Sequence, residues 1–184
     1  MAFGYSSGEL TPGGGNQYAV VIFLPDHLDQ AIAPIREKYD PDFSMISSHI
    51  SLVFPFQTRK SFDDTTRIIR KAIEGLPPFK VGLDSIGDFY PGFPLIYWGV
   101  RRDAVIDELY KTLYARLDLA LPHKNFIPHV TVAKEISDHR VVLVKEKIVP
   151  YLFEESFQAE TIDLIAPIAS KQWVSVRTFT LSGG

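Results

Sequence analysis

SSHISLVFPF, residues 47–56, reads as a strand with two unlike faces. Successive side chains of an extended chain point to opposite sides, so Ile50 and Leu52 share one face while His49 and Ser51 share the other. Apolar burial explains the first face. It does not explain why a histidine and a hydroxyl are aligned on the second.

Outward from this strand the chain follows a regular order. YAVVIFL, residues 18–24, is a continuous β-branched and aromatic run and reads as a buried strand, after which Pro25 and Asp26 open a helix to about Tyr39. On the other side, SFDDTTRIIRKAIEGLPP is a helix with Ser61 or Asp63 as N-cap. Ile68, Ile69, Ala72 and Ile73 form its apolar stripe, and Gly75 with two prolines stops it. FKVGLDSIGDFY, residues 79–90, is the next strand. PLIYWGV, 94–100, then restarts the cycle, and Val105, Ile106, Leu109, Leu113 and Leu117 fall at helical spacing. IPHVTVAKEI, 127–136, is a second histidine strand. A helix from about Asp138 to Val149, a strand near 157–166 and a last strand over 171–181 complete the order.

The chain is therefore an internal repeat of β-α-β-α-β units, about 18–90 and 94–166, followed by one strand. Matching strand centres pairs Val20 with Tyr97, His49 with His129 and Leu83 with Ile162, offsets of 77, 80 and 79 residues. A period this long is not a solenoid. It predicts two similar lobes about an approximate two-fold axis, with the histidine strands meeting near that axis. No charged linker divides the halves, so residues 18–184 are expected to form one domain, preceded by a Gly-, Ser- and Pro-rich flexible leader over 1–17.

Composition narrows the chemistry. Of 184 residues, 46% are apolar, and 19 Lys and Arg stand against 22 Asp and Glu, a net charge of −3. That balance excludes a polybasic nucleic-acid or membrane coat, so any phosphate contact is local. Cysteine is absent, which removes disulfides, thiolate metal sites and cysteine nucleophiles. With no run long enough to span a membrane and no secretory pattern, the cytoplasm is the expected compartment.

The second histidine strand repeats the first: His129 and Thr131 on one face, Val130 and Val132 on the other. Two imidazoles facing one cavity can divide acid and base roles, since their ordinary pKa of about 6.5 leaves either form accessible near neutrality. The hydroxyls of Ser51 and Thr131, about 6.5 to 7 Å further along each strand, can donate to phosphate oxygens. This set suits phosphodiester chemistry without a metal.

In SHISLVF around His49 and FIPHVTVAK around His129 the chain resembles the two-histidine (2H) phosphoesterases, within them the RNA 2′,5′-ligase-like group, and the likeness runs from about residue 18 to 181. The resemblance implies an α+β bilobal fold with a central cleft between antiparallel-rich sheets. It also implies phosphodiesterase activity on 2′,3′-cyclic phosphates, related cyclic nucleotides or 2′,5′-linked RNA ends. His49 and His129 take the catalytic positions and Ser51 and Thr131 the phosphate-binding ones, with Ser51 replacing the commoner threonine. The partner is then a nucleotide or RNA terminus bearing a cyclic phosphate, bound by a monomer without a cofactor.

Other residues have plainer roles. His27 and His139 read as helix-start residues, and His123 as a loop residue at the substrate rim at most. Lys124, Lys134 and Arg59 flank the motifs, but strand parity puts Lys134 on the Val130 side, away from the histidines, unless a bulge intervenes. Of Phe56, Tyr90, Trp98 and Phe126, one at most is expected to stack on a base. GGG at 13–15 lacks the Lys-Ser/Thr signature of a phosphate loop, and there is no HExxH motif or helical His/Asp pair for a metal. Two rivals to the RNA-end enzyme are a nucleotide-binding module without turnover and a cyclic phosphodiesterase for small metabolites such as ADP-ribose cyclic phosphate. The slightly acidic chain is compatible with the latter.

Overall fold

A computed structural model describes residues 16–122, 126–168 and 172–183. The first strand, β1 (Asn16–Phe23), leads into α1 (Asp26–Tyr39), which carries Asp26 and Asp29 in its first turn and Arg36 and Lys38 in its last, as the helix dipole favours. β2 (His49–Thr58) follows, then α2 (Phe62–Ala72), where Ser61 is the N-cap and its Oγ accepts the Asp64 N–H at 3.1 Å. β3 (Phe79–Phe89) and β4 (Phe93–Val100) form a hairpin. Asp103 caps α3 (Ala104–Leu117) by accepting the Val105 N–H at 2.8 Å. β5 (His129–Ala133), α4 (Val141–Ile148), β6 (Glu155–Ala159), β7 (Thr161–Pro167) and β8 (Trp173–Thr180) complete the chain.

The eight strands form one antiparallel sheet in the order β6-β3-β4-β5-β2-β1-β7-β8. Read from either end, the order is the same once β1 is exchanged with β4, β2 with β5, β3 with β7 and β6 with β8. This is the expected pseudo-two-fold, and it passes between β2 and β5. The third strand of each unit is exchanged: β3 pairs with β4, and β7 pairs with β1.

Among the described residues, the helices pack on one face of the sheet. Val20, Ile22, Ile50, Val130 and Trp98 pack with Leu28 and Ile32 of α1, Ile69 of α2, Leu113 of α3 and Val144 of α4 in the main core. The other face has a small apolar patch of Ala19, Val21 and Ile165. Burying the branched residues behind the sheet leaves their neighbours, which point the opposite way, in front of it.

Three expectations need correction. The single strand near 157–166 is two strands broken at Glu160, because β6 pairs with β3 at one edge while β7 pairs with β1 in the other half. The helix over 138–149 is α4 flanked by 3₁₀ turns at Asp138–Arg140 and Val149–Tyr151. Asn16 and Gln17, expected within a leader over 1–17, already pair with Thr58 and Gln57 as the start of β1; residues 1–15, with GGG, lie outside the described residues.

Candidate active site

β2 and β5 meet through Ile50 and Val130, both fully buried. Their neighbours in sequence, His49, Ser51, His129 and Thr131, are half-buried and emerge on the opposite, helix-free face. Continuing the antiparallel register by one residue sets Ser51 toward His129 and His49 toward Thr131. Each histidine is thereby placed beside the other motif's hydroxyl.

Both rings are anchored in the same way. His49 Nδ1 lies 2.9 Å from the Ser47 carbonyl and His129 Nδ1 lies 2.7 Å from the Ile127 carbonyl. A carbonyl only accepts, so each Nδ1 carries the proton and donates it, and each Nε2 is left with the lone pair when the ring is neutral. Burial pushes the His49 pKa down to about 4; the Ser47 hydrogen bond opposes this, while Arg36 and His129 add to it. Burial also lowers His129, against the Ile127 hydrogen bond.

The surroundings of the two rings differ. A cavity of about 250 Å³ on the His49 side is lined by Ser51 and Thr131 together with Arg36, Asp40, Asp42, Lys134 and Trp173. The one beside His129 is about 490 Å³ and is lined by aromatic and aliphatic residues. Phe93 and Leu95 border both. Phe89 and Tyr97 wall the His129 ring, each with its centroid 5.1 Å away. Tyr97 lies over Gly87 so closely that a Cβ there would come within 2.2 Å of its hydroxyl, so this packing requires glycine.

Tyr97 also corrects the repeat alignment. Across the strands Val21 faces Ser51 and Tyr97 faces Thr131, so Val21, not Val20, matches Tyr97, an offset one residue shorter than 77. Each half carries the same irregularity, one extra residue on the histidine strand, Leu52 opposite the Val20–Val21 step and Val132 opposite the Ile96–Tyr97 step, which confirms the one-residue correction.

Lys134 departs from its parity. It lines the His49 cavity and is ion-paired with Asp42, because β5 ends at Ala133, the Lys134 N–H donates to Tyr39 O, and Glu135 takes a positive φ of 55°. Phe56 and Trp98 belong to the buried core behind the sheet, Tyr90 is exposed, and Phe126 lines the His129 cavity. His27, His139 and Arg59 are exposed and do not border either cavity; His123 and Lys124 lie outside the described residues. Among the described residues, no three His, Asp or Glu side chains gather as a metal would need, and no helix is long and apolar enough to cross a membrane.

Arg36 carried no signal in the sequence. It is 3% exposed, binds Asp40 through Nε at 3.0 Å and Nη2 at 2.8 Å, and donates to Ser48 Oγ and the Ile46 carbonyl, each at 3.0 Å. It thus ties α1 to the residues that lead into His49. Phe54 and Phe93, also unforeseen, are exposed aromatics at the cavity rim. An aromatic that stays exposed between prolines, as in PGFP, is the one signal that could have marked Phe93.

Comparison with known proteins gives concordant results. The model of the 2′-5′ RNA ligase superfamily matches residues 24–168. A Geobacillus kaustophilus protein provisionally named a phosphoesterase is 25% identical over 170 residues, covering 91% of this chain and 97% of that one. One from Bacillus pumilus with the same provisional name is 29% identical over 168 residues, covering 90% and 97%. Among crystal structures, Escherichia coli LigT complexed with 3′-AMP has a TM-score of 0.65 at 15% identity, covering 92% of this chain and 99% of that one. TT0787 of Thermus thermophilus has a TM-score of 0.67 at 17% identity, covering 91% and 98%.

Proposed function

This chain belongs to the 2′-5′ RNA ligase superfamily, and from that premise we propose that it is a metal-independent phosphodiesterase acting on 2′,3′-cyclic phosphates of nucleotides or RNA ends, or on 2′,5′-linked ends. Phosphoester chemistry is what the family and the names of its relatives share. The nucleotides held by E. coli LigT, 3′-AMP and NADP+, support a nucleotide-like substrate for this fold. The observation that carries the reading is the matched pair of His-x-Ser/Thr strands, adjacent at Ile50 and Val130, with both rings anchored through Nδ1.

In this reading His49, whose pKa of about 4 keeps it neutral, accepts a proton from water at Nε2. The water oxygen forms a bond to phosphorus while the bond from phosphorus to one ribose oxygen breaks. His129, entering as imidazolium, gives its Nε2 proton to that leaving oxygen. Ser51 and Thr131 donate to the non-bridging oxygens, and Lys134 in the same cavity adds positive charge beside them. The cycle closes when the two rings exchange protons with solvent.

The test is hydrolysis of 2′,3′-cyclic mononucleotides in excess EDTA. Turnover is expected to survive the chelator, because this chain supplies both proton carriers. Loss of activity with EDTA and recovery with a divalent ion would overturn the metal-independent mechanism. Saturable binding without product from any cyclic phosphate would favour a binding module instead.

A further inference from the structure

We propose that Tyr97, seated over Gly87, is a positioning residue for His129: with Phe89 it holds the imidazole in one orientation, so that the Nε2 proton is aimed at the leaving ribose oxygen. The inference rests on the phosphodiesterase reading for its consequence and on packing for its cause.

The two halves flank their histidines differently. Phe23 stands opposite His49 across β1 and β2, with its ring edge-on at 6.2 Å. The matching position opposite His129 is Gly99, which has no side chain, and Ser85 Oγ fills the space that a Cβ there would take. The His129 ring is anchored by the hydrogen bond from Nδ1 to the Ile127 carbonyl. Such a bond keeps most of its strength over a wide range of angles, so it does not by itself fix where Nε2 points.

Tyr97 and Phe89 supply the contact that Gly99 does not. Their ring centroids each lie 5.1 Å from that of His129, at tilts of 51° and 78°, and the two rings pack on each other at 4.7 Å. These are separations and tilts that aromatic pairs prefer. Tyr97 is fixed in turn from its other side, because its ring occupies the space that any side chain at Gly87 would need. The residue matching Tyr97 in the other half is Val21, so the wall is built at one histidine only. Around the His129 ring the titratable groups are Tyr97, Tyr110 of α3 across the cavity and His49 of β2. No Lys, Arg, Asp or Glu lines that cavity among the described residues, so the seat acts by contact and by excluding water. A displacement of Nε2 by about 1 Å is enough to cost on the order of 10² in rate.

The test compares Tyr97→Val, which installs the residue found in the other half, with Tyr97→Phe, which keeps the ring. On adenosine 2′,3′-cyclic phosphate, Tyr97→Val is expected to lower kcat by on the order of 10²-fold with little change in KM, and Tyr97→Phe to retain most of it. Gly87→Ala, which drives Tyr97 from its place, is expected to lower kcat in the same way. The double variant Gly87→Ala/Tyr97→Val should lose no more than Tyr97→Val alone, since both substitutions act through one ring. Histidine ring resonances followed by NMR against pH give a readout independent of turnover. Burial holds His129 below the ordinary histidine value, so Tyr97→Val is expected to bring its titration up toward about 6.5 and leave that of His49 nearly unchanged, whereas Tyr97→Phe moves neither. Near wild-type kcat in Tyr97→Val, equal losses in the two Tyr97 variants, multiplied losses in the double variant, or an unmoved His129 titration in Tyr97→Val overturns the proposal. If Tyr97→Val does not fold, Tyr97→Leu and Gly87→Ala decide the same points. If wild type turns over no cyclic phosphate, the phosphodiesterase reading fails by itself, and the His129 titration alone decides whether Tyr97 seats the ring.

Discussion

At the scale of single residues, the proposed chemistry depends on His49 and His129 being held in opposite protonation states. Replacing either by alanine is expected to lower kcat by about 10² to 10⁴, the usual range for one positioned proton carrier. The double variant should lose much less than the product of the two losses, because the pair acts as a unit; fully multiplicative losses would show independent roles. The pH profile checks the same pair. Both rings are pushed below the ordinary histidine value, His49 to about 4. The bell for kcat/KM, which reports the free enzyme, is therefore expected on the acid side of neutrality. A bound phosphate favours imidazolium, so the bell for kcat should lie at higher pH. The two apparent values belong to the pair.

At the scale of elements, the site is only as rigid as the segment that delivers His49. The stretch from Asp40 to Ser48 has no helix or strand of its own and is tied down by Arg36, by the Asp42 N–H donating to Asp40 Oδ1 at 3.0 Å, and by the Ser48 N–H donating to Asp29 Oδ1 at 3.0 Å. Asp40→Ala removes the carboxylate bound to Nε and Nη2 of the buried Arg36 and leaves it only the longer 3.8 Å pair with Asp29, and the expected cost is about 3 kcal/mol in urea unfolding. Asp64→Ala serves as the comparison, since it breaks an exposed pair with Arg67 and the hydrogen bond from Ser61 Oγ at the start of α2, and its cost is expected to be clearly smaller. Equal costs for the two variants would show that Arg36 is not the strut described here.

At the scale of the whole molecule, folding buries two imidazoles on the helix-free face, and that has a price in acid. A histidine whose folded pKa lies below its unfolded value binds fewer protons folded than unfolded. Stability is then complete above about pH 6.5 and declines as pH falls toward the folded value. For His49 that window runs down to about 4. The urea midpoint of wild type is expected to fall from pH 7 to pH 4, and His49→Asn should flatten part of that slope. An unchanged slope would show that His49 does not carry the linkage.

The alternation of SSHISLVFPF and IPHVTVAKEI, and the near-constant spacing between repeats, are properties of one dimension, so the sequence by itself determined the two-fold repeat and most of the strand and helix order, and set His49 with Ser51 and His129 with Thr131 on one face of their strands. It could not show the cross-strand register that matches Val21 with Tyr97, nor the break at Glu160 that sends β6 and β7 to opposite halves, because both are set by pairing with strands distant in sequence. For the same reason Lys134 escaped its strand parity, and Arg36, Phe54 and Phe93 went unseen. Periodicity records which way a side chain points while the backbone stays regular. Which side chains share a cavity is decided where regular segments end and distant ones meet, and here that contrast made one histidine's surroundings ionic and the other's aromatic.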